Sequence, residues 1–205
     1  MTLPYDPMNF VICGIGGQGN ILASGLLGAA LGEQGYLVSV GETYGASQRG
    51  GSVMSHVRVS AEQELGVLVP ARSAHVIVGF EPLEALRRAR EYGYAETDVI
   101  YDPRQTYPLG VLGGEDVYPA LSEIDAELRR RCRNVFAIPA TELAMEIGNS
   151  KIANIILMGA LSALPGVPVS SEEYHDALAQ NFSGKTLELN IRAFTIGADA
   201  LRAQL

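Results

Sequence analysis

Cysteine and basic residues are both scarce in this chain, and each scarcity removes a class of function. There are two cysteines, Cys13 and Cys132, far apart and in no CxxC or Cys/His spacing. An iron–sulfur cluster wants about four thiolates, so this chain does not carry one of its own. Two isolated cysteines in a chain without a signal peptide point instead to reduced thiols and a cytoplasmic setting. Lys and Arg total 15 against 23 Asp and Glu, for a formal net charge of −8. A nucleic-acid surface needs clustered cations to neutralise phosphates, and none is expected here. The one basic run, Arg129–Arg131 with Arg133, falls at the end of a helical pattern, where cations suit the macrodipole. His56, His75 and His175 are scattered, with no carboxylate at metal-ligand spacing. No segment reaches the roughly 18 consecutive apolar residues of a membrane span.

What is present is an ordinary globular composition, 47% hydrophobic and 19% charged over 205 residues. That length suits one buried core better than two, so a single domain over 1–205 is expected. The apolar run "NFVIC" (9–13) predicts a strand, followed by the glycine turn Gly14-Ile-Gly16-Gly17-Gln18-Gly19. A helix is expected from about 20 to 34, ending at Gly35, and a second strand over 36–42. Strand, helix and strand in so short a space make a βαβ unit, with the two strands parallel. Inside the helix, Gly25, Gly28 and Gly32 recur on one face. Each costs about 1 kcal/mol relative to alanine, so something must pack close there, either the sheet beneath or another subunit.

Gly14, Gly16 and Gly19 fit GxGxxG between a strand and a helix, the context of a dinucleotide fingerprint. Glu42 ends the second strand, about where a ribose-binding carboxylate belongs. Taken alone, these features suit a free-standing NAD- or FAD-binding oxidoreductase. The next stretch, "ETYGASQRGGSVMSHVRVS" (42–60), argues against it, because 43–52 hold no helical pattern. Residues 53–59 alternate with period two instead, a strand, with "QELGVLV" (63–69) expected as its hairpin partner. Arg49 beside Gly50 and Gly51 suits an anion anchor, since a guanidinium next to freely turning backbone N–H groups fits phosphate or carboxylate. It equally suits a plain turn with Arg49 paired to a neighbouring acid.

Further on, strands are expected over 74–80, 97–102 and 134–140, with helices over about 82–93 and 119–131. The segment 103–118 reads as loop with one short strand at "GVL". The remainder reads as helical. Residues 152–166 are apolar almost all round, so this helix is buried or at an interface. Lys151 and Asn154 stand at its start, and a buried Asn154 must find hydrogen-bond partners. The fold class expected is α/β: a mostly parallel, Rossmann-like sheet flanked by helices, a β-hairpin excursion after strand 2, and a helical C-terminal region.

Four blocks in order, "GIGGQGNILASGLLGAAL", "ETYGASQRGGSVMSHVRVS", "GNSKIANIILMGALS" and "NIRAFTIG", resemble the gamma subunit or domain of the 2-oxoacid:ferredoxin oxidoreductases. The SQRGGSVMSHVR and GN…N…MGAL wording looks most like the small (beta) subunit of the indolepyruvate type. The resemblance spans about 9–197. One departure is Tyr44, where many indolepyruvate-type members have histidine. The resemblance implies a supporting subunit of an enzyme that oxidatively decarboxylates 2-oxoacids with thiamine diphosphate, coenzyme A and iron–sulfur clusters, and reduces ferredoxin. It places those cofactors on a large catalytic partner subunit, and this chain shows no thiamine-type GDG motif. No catalytic residue is expected here. Under it, Gly14, Gly16, Gly17, Gln18, Gly19, Arg49, Gly50 and Gly51 are the candidates for touching a phosphate-bearing ligand or the large subunit. A module whose glycine turn binds nothing is the third reading.

Overall fold

In the computed structural model, residues 3–44, 51–107, 109–114 and 117–205 are described. Arg49 and Gly50 lie outside them. One six-stranded sheet organises these residues, with strand order β2-β3-β1-β4-β5-β6. The strands are β1 (Met8–Ile15), β2 (Leu37–Tyr44), β3 (Ser52–Ser60), β4 (Val76–Gly79), β5 (Asp98–Tyr101) and β6 (Asn134–Ala137). β1, β4, β5 and β6 run parallel, while β3 pairs antiparallel with both β1 and β2. The sheet is therefore mixed: the three pairings among β1, β4, β5 and β6 are parallel, as expected, and the two that β3 makes are antiparallel.

Three sequence expectations need correcting. The first two strands are not neighbours, because β3 is inserted between them. The hairpin joins β2 to β3, not residues 53–59 to 63–69. The latter segment is an irregular strap: Val67 lies against Gly41, and Leu65 O and Gly66 O accept from Ser39 Oγ and Arg58 Nη1. The "GVL" segment is the last part of a single helical turn, α3 (Leu109–Leu112), rather than a strand.

The alternation along each strand sorts side chains into two apolar layers. Phe10, Ile12, Val76, Val78 and Ile100 face one layer; Val11, Cys13, Ile77, Val99 and Val135 face the other. The second layer is covered by α2 (Pro82–Glu91) and α4 (Leu121–Arg131). Glu81 caps α2, its carboxylate accepting from Glu84 N at 2.9 Å, and Pro82 takes the first helical position, where a missing N–H costs nothing. The arginines that end α4 are tied within one turn to Asp125 and Glu127. Arg130 and Arg131 hold the Glu127 carboxyl down to about 2. This is the solvated helix end that the sequence implied.

The first layer is the thicker one. It holds α1 (Asn20–Glu33), α5 (Ala140–Glu146), α6 (Ala153–Ala163), α7 (Ser171–Asn181) and α8 (Gly184–Arg202). α6 is buried from Asn154 through Leu161, as its all-round apolar sequence requires. It crosses α8 with almost no side-chain spacer. A Cβ on Gly159 would fall 1.9 Å from Phe194 O, and one on Gly197 would fall 1.7 Å from Ile156 O. Only glycine at both positions lets the two backbones meet.

Candidate functional site

The carboxyl ends of parallel strands, where the chain reverses its direction of winding, are where α/β sheets bind ligands. Here the connections leave β1 and β4 on opposite faces, towards α1 and α2 respectively, and the glycine turn sits between them. Its geometry is held by Gln18. The Gln18 Oε1 accepts from Ile15 N at 2.6 Å, and its Nε2 donates to Phe80 O at 3.1 Å, so one side chain ties the end of β1 to the end of β4. Gly17 and Gly19 have φ of 105° and 90°, a left-handed backbone that side chains with a Cβ avoid.

Gly16 N donates to Gly51 O at 2.9 Å. The glycine turn and the end of the RGG loop, 35 residues apart, are thus in direct contact. That accounts for Gly51 among the candidates, while Gly14 is confined by Phe80 and Gln18. The turn is also covered from an unexpected side. Asn154, at the start of α6, is 5% exposed, and a Cβ on Gly19 would lie 2.4 Å from its Nδ2. Asn154 Oδ1 accepts from Ile155 N at 2.9 Å, while Nδ2 reaches Gly19 O at 3.5 Å, the limit of a hydrogen bond.

Glu42 does not stand as a ribose ligand would. With β3 between β1 and β2, it lies two strand spacings from the turn, about 10 Å rather than about 5 Å. Its Oε1 accepts from Ser24 Oγ of α1 at 2.8 Å. A diphosphate approaching the α1 N-terminus in the standard way would also meet Asn154 over Gly19. The GxGxxG spacing is present, and its surroundings differ from those of a dinucleotide site.

Beside the turn is an open cavity of about 460 Å³, lined by Gly17, Gln18, Phe80, Asp102, Thr141 and Lys151, with Asn154 and Leu157 behind. Gly17 and Gln18 follow β1, Phe80 follows β4, Asp102 follows β5, and Thr141 opens α5 after β6. Asp102 is 2% exposed; its Oδ2 accepts from Thr141 N and Thr141 Oγ1, and its Oδ1 from Arg104 N. Burial pushes its carboxyl above the usual range. Sequence reading marked Lys151 and Asn154 but missed Asp102 and Thr141. Their one signal is position, a polar residue just past the carboxyl end of an apolar strand.

The donor set does not fit a metal cluster. Cys13 is fully buried in β1 and Cys132 closes α4; burial raises both thiols, that of Cys132 to about 11. Among the described residues no group of three His, Cys, Asp or Glu could hold a metal ion. Nor, among them, is any helix long and apolar enough to cross a membrane.

Residues 9–200 match the family model for pyruvate ferredoxin/flavodoxin oxidoreductase. The chain belongs to that family. It is 41% identical over 198 residues to the indolepyruvate oxidoreductase subunit IorB of Thermococcus kodakarensis, covering 96% of this chain and 97% of that one. Its fold is that of the keto/oxoacid ferredoxin oxidoreductase gamma subunit from Geobacter sulfurreducens (TM-score 0.69, 23% identity, 96% and 99% of the two chains). The 2-oxoglutarate:ferredoxin oxidoreductase from Magnetococcus marinus contains the same fold within a longer chain (TM-score 0.75, 23% identity). That match covers 97% of this chain and 32% of the other. One family fold thus occurs both as a separate small chain and as part of a larger one.

Proposed function

We propose that this chain is the small subunit of an indolepyruvate-type 2-oxoacid:ferredoxin oxidoreductase, acting in the cytoplasm as one domain and inactive without its large partner. The observation that carries this reading is the 41% identity to the Thermococcus IorB subunit across nearly the whole of both chains. The partner supplies thiamine diphosphate chemistry, coenzyme A acylation and the clusters that deliver electrons to ferredoxin. In keeping with that division, the two thiols of this chain are buried in its core.

Helix α1 supports the assembly. Its sequence carries no charge before Glu33, yet part of it faces outward. Ile21 is 59% exposed, and a Cβ on Gly25 or Gly32 would have nothing within 4 Å. Among the described residues nothing therefore gives a reason for those two glycines. A large subunit packed closely on α1 supplies one, and it would also cover Ile21 and the adjacent Val40. The Gly16–Gly51 contact lies at the start of this helix, so under this reading the glycine turn adjoins the same partner.

Co-expression with the large subunit tests the reading. The expected result is a complex that oxidises indolepyruvate with ferredoxin as acceptor, while neither chain alone does so. Full activity of the large subunit by itself would overturn it.

A further inference from the structure

We infer that the amino ends of the parallel strands form a phosphate-binding site, with Arg58, Arg72 and His75 as its donors. This face is at the opposite end of the sheet from the glycine turn, and nothing in it depends on the proposed large subunit. An open cavity of about 420 Å³ lies there, lined by these three side chains together with Asn9, Ser73 and Tyr94. In a chain of net charge −8, arginines such as Arg88, Arg129 and Arg133 are paired with carboxylates. Arg58 and Arg72 make no ion pair among the described residues. Asp6 is the one acid in the cavity lining, and its Oδ2 accepts from Ala61 N at 3.0 Å.

The donors are held in place by Asn9, which is 3% exposed. Its N donates to His75 Nδ1 and its O accepts from His75 N, both at 2.9 Å. Its Oδ1 accepts from Arg58 Nε at 3.0 Å, and its Nδ2 donates to Ser73 O at 2.9 Å. One buried residue thus fixes a guanidinium on β3, an imidazole before β4 and the loop that carries Arg72, the preorganisation a binding site needs. Because His75 Nδ1 accepts a backbone N–H, its ring proton is on Nε2. Burial lowers its pKa, Tyr5 stacks on its ring at 4.3 Å, and Nε2 has no hydrogen bond among the described residues. Arg58 Nη1 donates to Gly66 O at 2.8 Å, which leaves Nη2.

Arg72 supplies a separate observation. Its φ is 56°, the one positive value among the described non-glycine residues, and its N donates to Glu91 O at 3.1 Å. Glycine would adopt this backbone at lower cost. The local conformation gives no reason for an arginine, and the cavity does. Guanidinium forks match an oxyanion. Donors come from three segments of the chain, so a tetrahedral phosphate can meet them all, whereas a planar carboxylate has two oxygens. The cavity also has room for a phosphate carried on a small molecule.

The test is NMR titration of the full chain with inorganic phosphate, glycerol 3-phosphate and acetate at constant ionic strength. Saturable binding of phosphate is expected, with shifts in the side-chain resonances of Arg72 and His75, and acetate should bind far more weakly. Tighter binding of glycerol 3-phosphate would make the natural ligand an ester, and weaker binding would make it free phosphate. Arg72→Gly should weaken phosphate binding about tenfold or more, as for loss of one charge-assisted contact. Because glycine suits a φ of 56°, that variant should melt no lower than the parent chain. No saturable binding, acetate as tight as phosphate, undiminished binding by Arg72→Gly, or shifts confined to the glycine turn would each overturn the assignment.

Discussion

Helix α1 and the α6–α8 pair both carry glycines within helices, and the two sets answer to different neighbours. At Gly159 and Gly197 the neighbour is backbone of the same chain, so close that a methyl group cannot enter. At Gly25 and Gly32 no atom of the described residues lies within 4 Å of where a Cβ would be, and Gly28 is intermediate, with Val40 Cγ2 3.1 Å from where its Cβ would be. An internal glycine costs a helix about 1 kcal/mol. In α6 and α8 close packing offsets that cost within the fold. In α1 no described residue offsets it at Gly25 or Gly32, and the proposed large subunit would do so from outside.

The contrast can be broken at four places. Gly197→Ala puts a methyl group into Ile156 O, and should destabilise the chain by about 3 kcal/mol or more in urea unfolding. Loss of less than half of that would mean the two helices can separate freely. Gly19→Ala strains a left-handed backbone and pushes on Asn154; a loss of about 2 kcal/mol is expected, and an unchanged midpoint would show that the turn relaxes. Gly25→Leu should do the opposite and stabilise the isolated chain by about 0.8 kcal/mol, since leucine is the better helix former and its Cβ meets no described residue within 4 Å. Gly28→Ala should fall within about 0.5 kcal/mol of the parent, the helix gain being offset by displacement of Val40.

The parts of this fold that were legible in the sequence are those decided locally. The apolar runs around Val11, Ile77 and Val99 are buried parallel strands, and α6 is as buried as its composition demands. The position of β3 was not legible, because period two identifies a strand without naming its neighbours. Val53, Val57 and Val59 suggested one buried face, yet Met54 and His56 are buried as well, since β3 is internal. The apolar residues of 63–69 looked like a partner strand, but Val67 is spent on covering Gly41.

The site divides in the same way. The glycine turn could be read from spacing, and so could the need for Asn154 to find partners. That its partner is Gly19, 135 residues away, is set by the packing of α6 on α1 and leaves no trace in either segment. Glu42 was misleading for a related reason: its place at the end of the second strand suggested a ribose contact only while β2 was taken to adjoin β1.

The α6–α8 pair is shaped for the chain itself, and α1, as proposed, for a partner. Gly25→Leu, measured both for stability alone and for complex formation with the large subunit, tests this contrast most directly. The expected result is a chain that is more stable in isolation and no longer co-purifies in stoichiometric amount. A variant that assembles as fully as the parent, or one that unfolds more readily by itself, would contradict it.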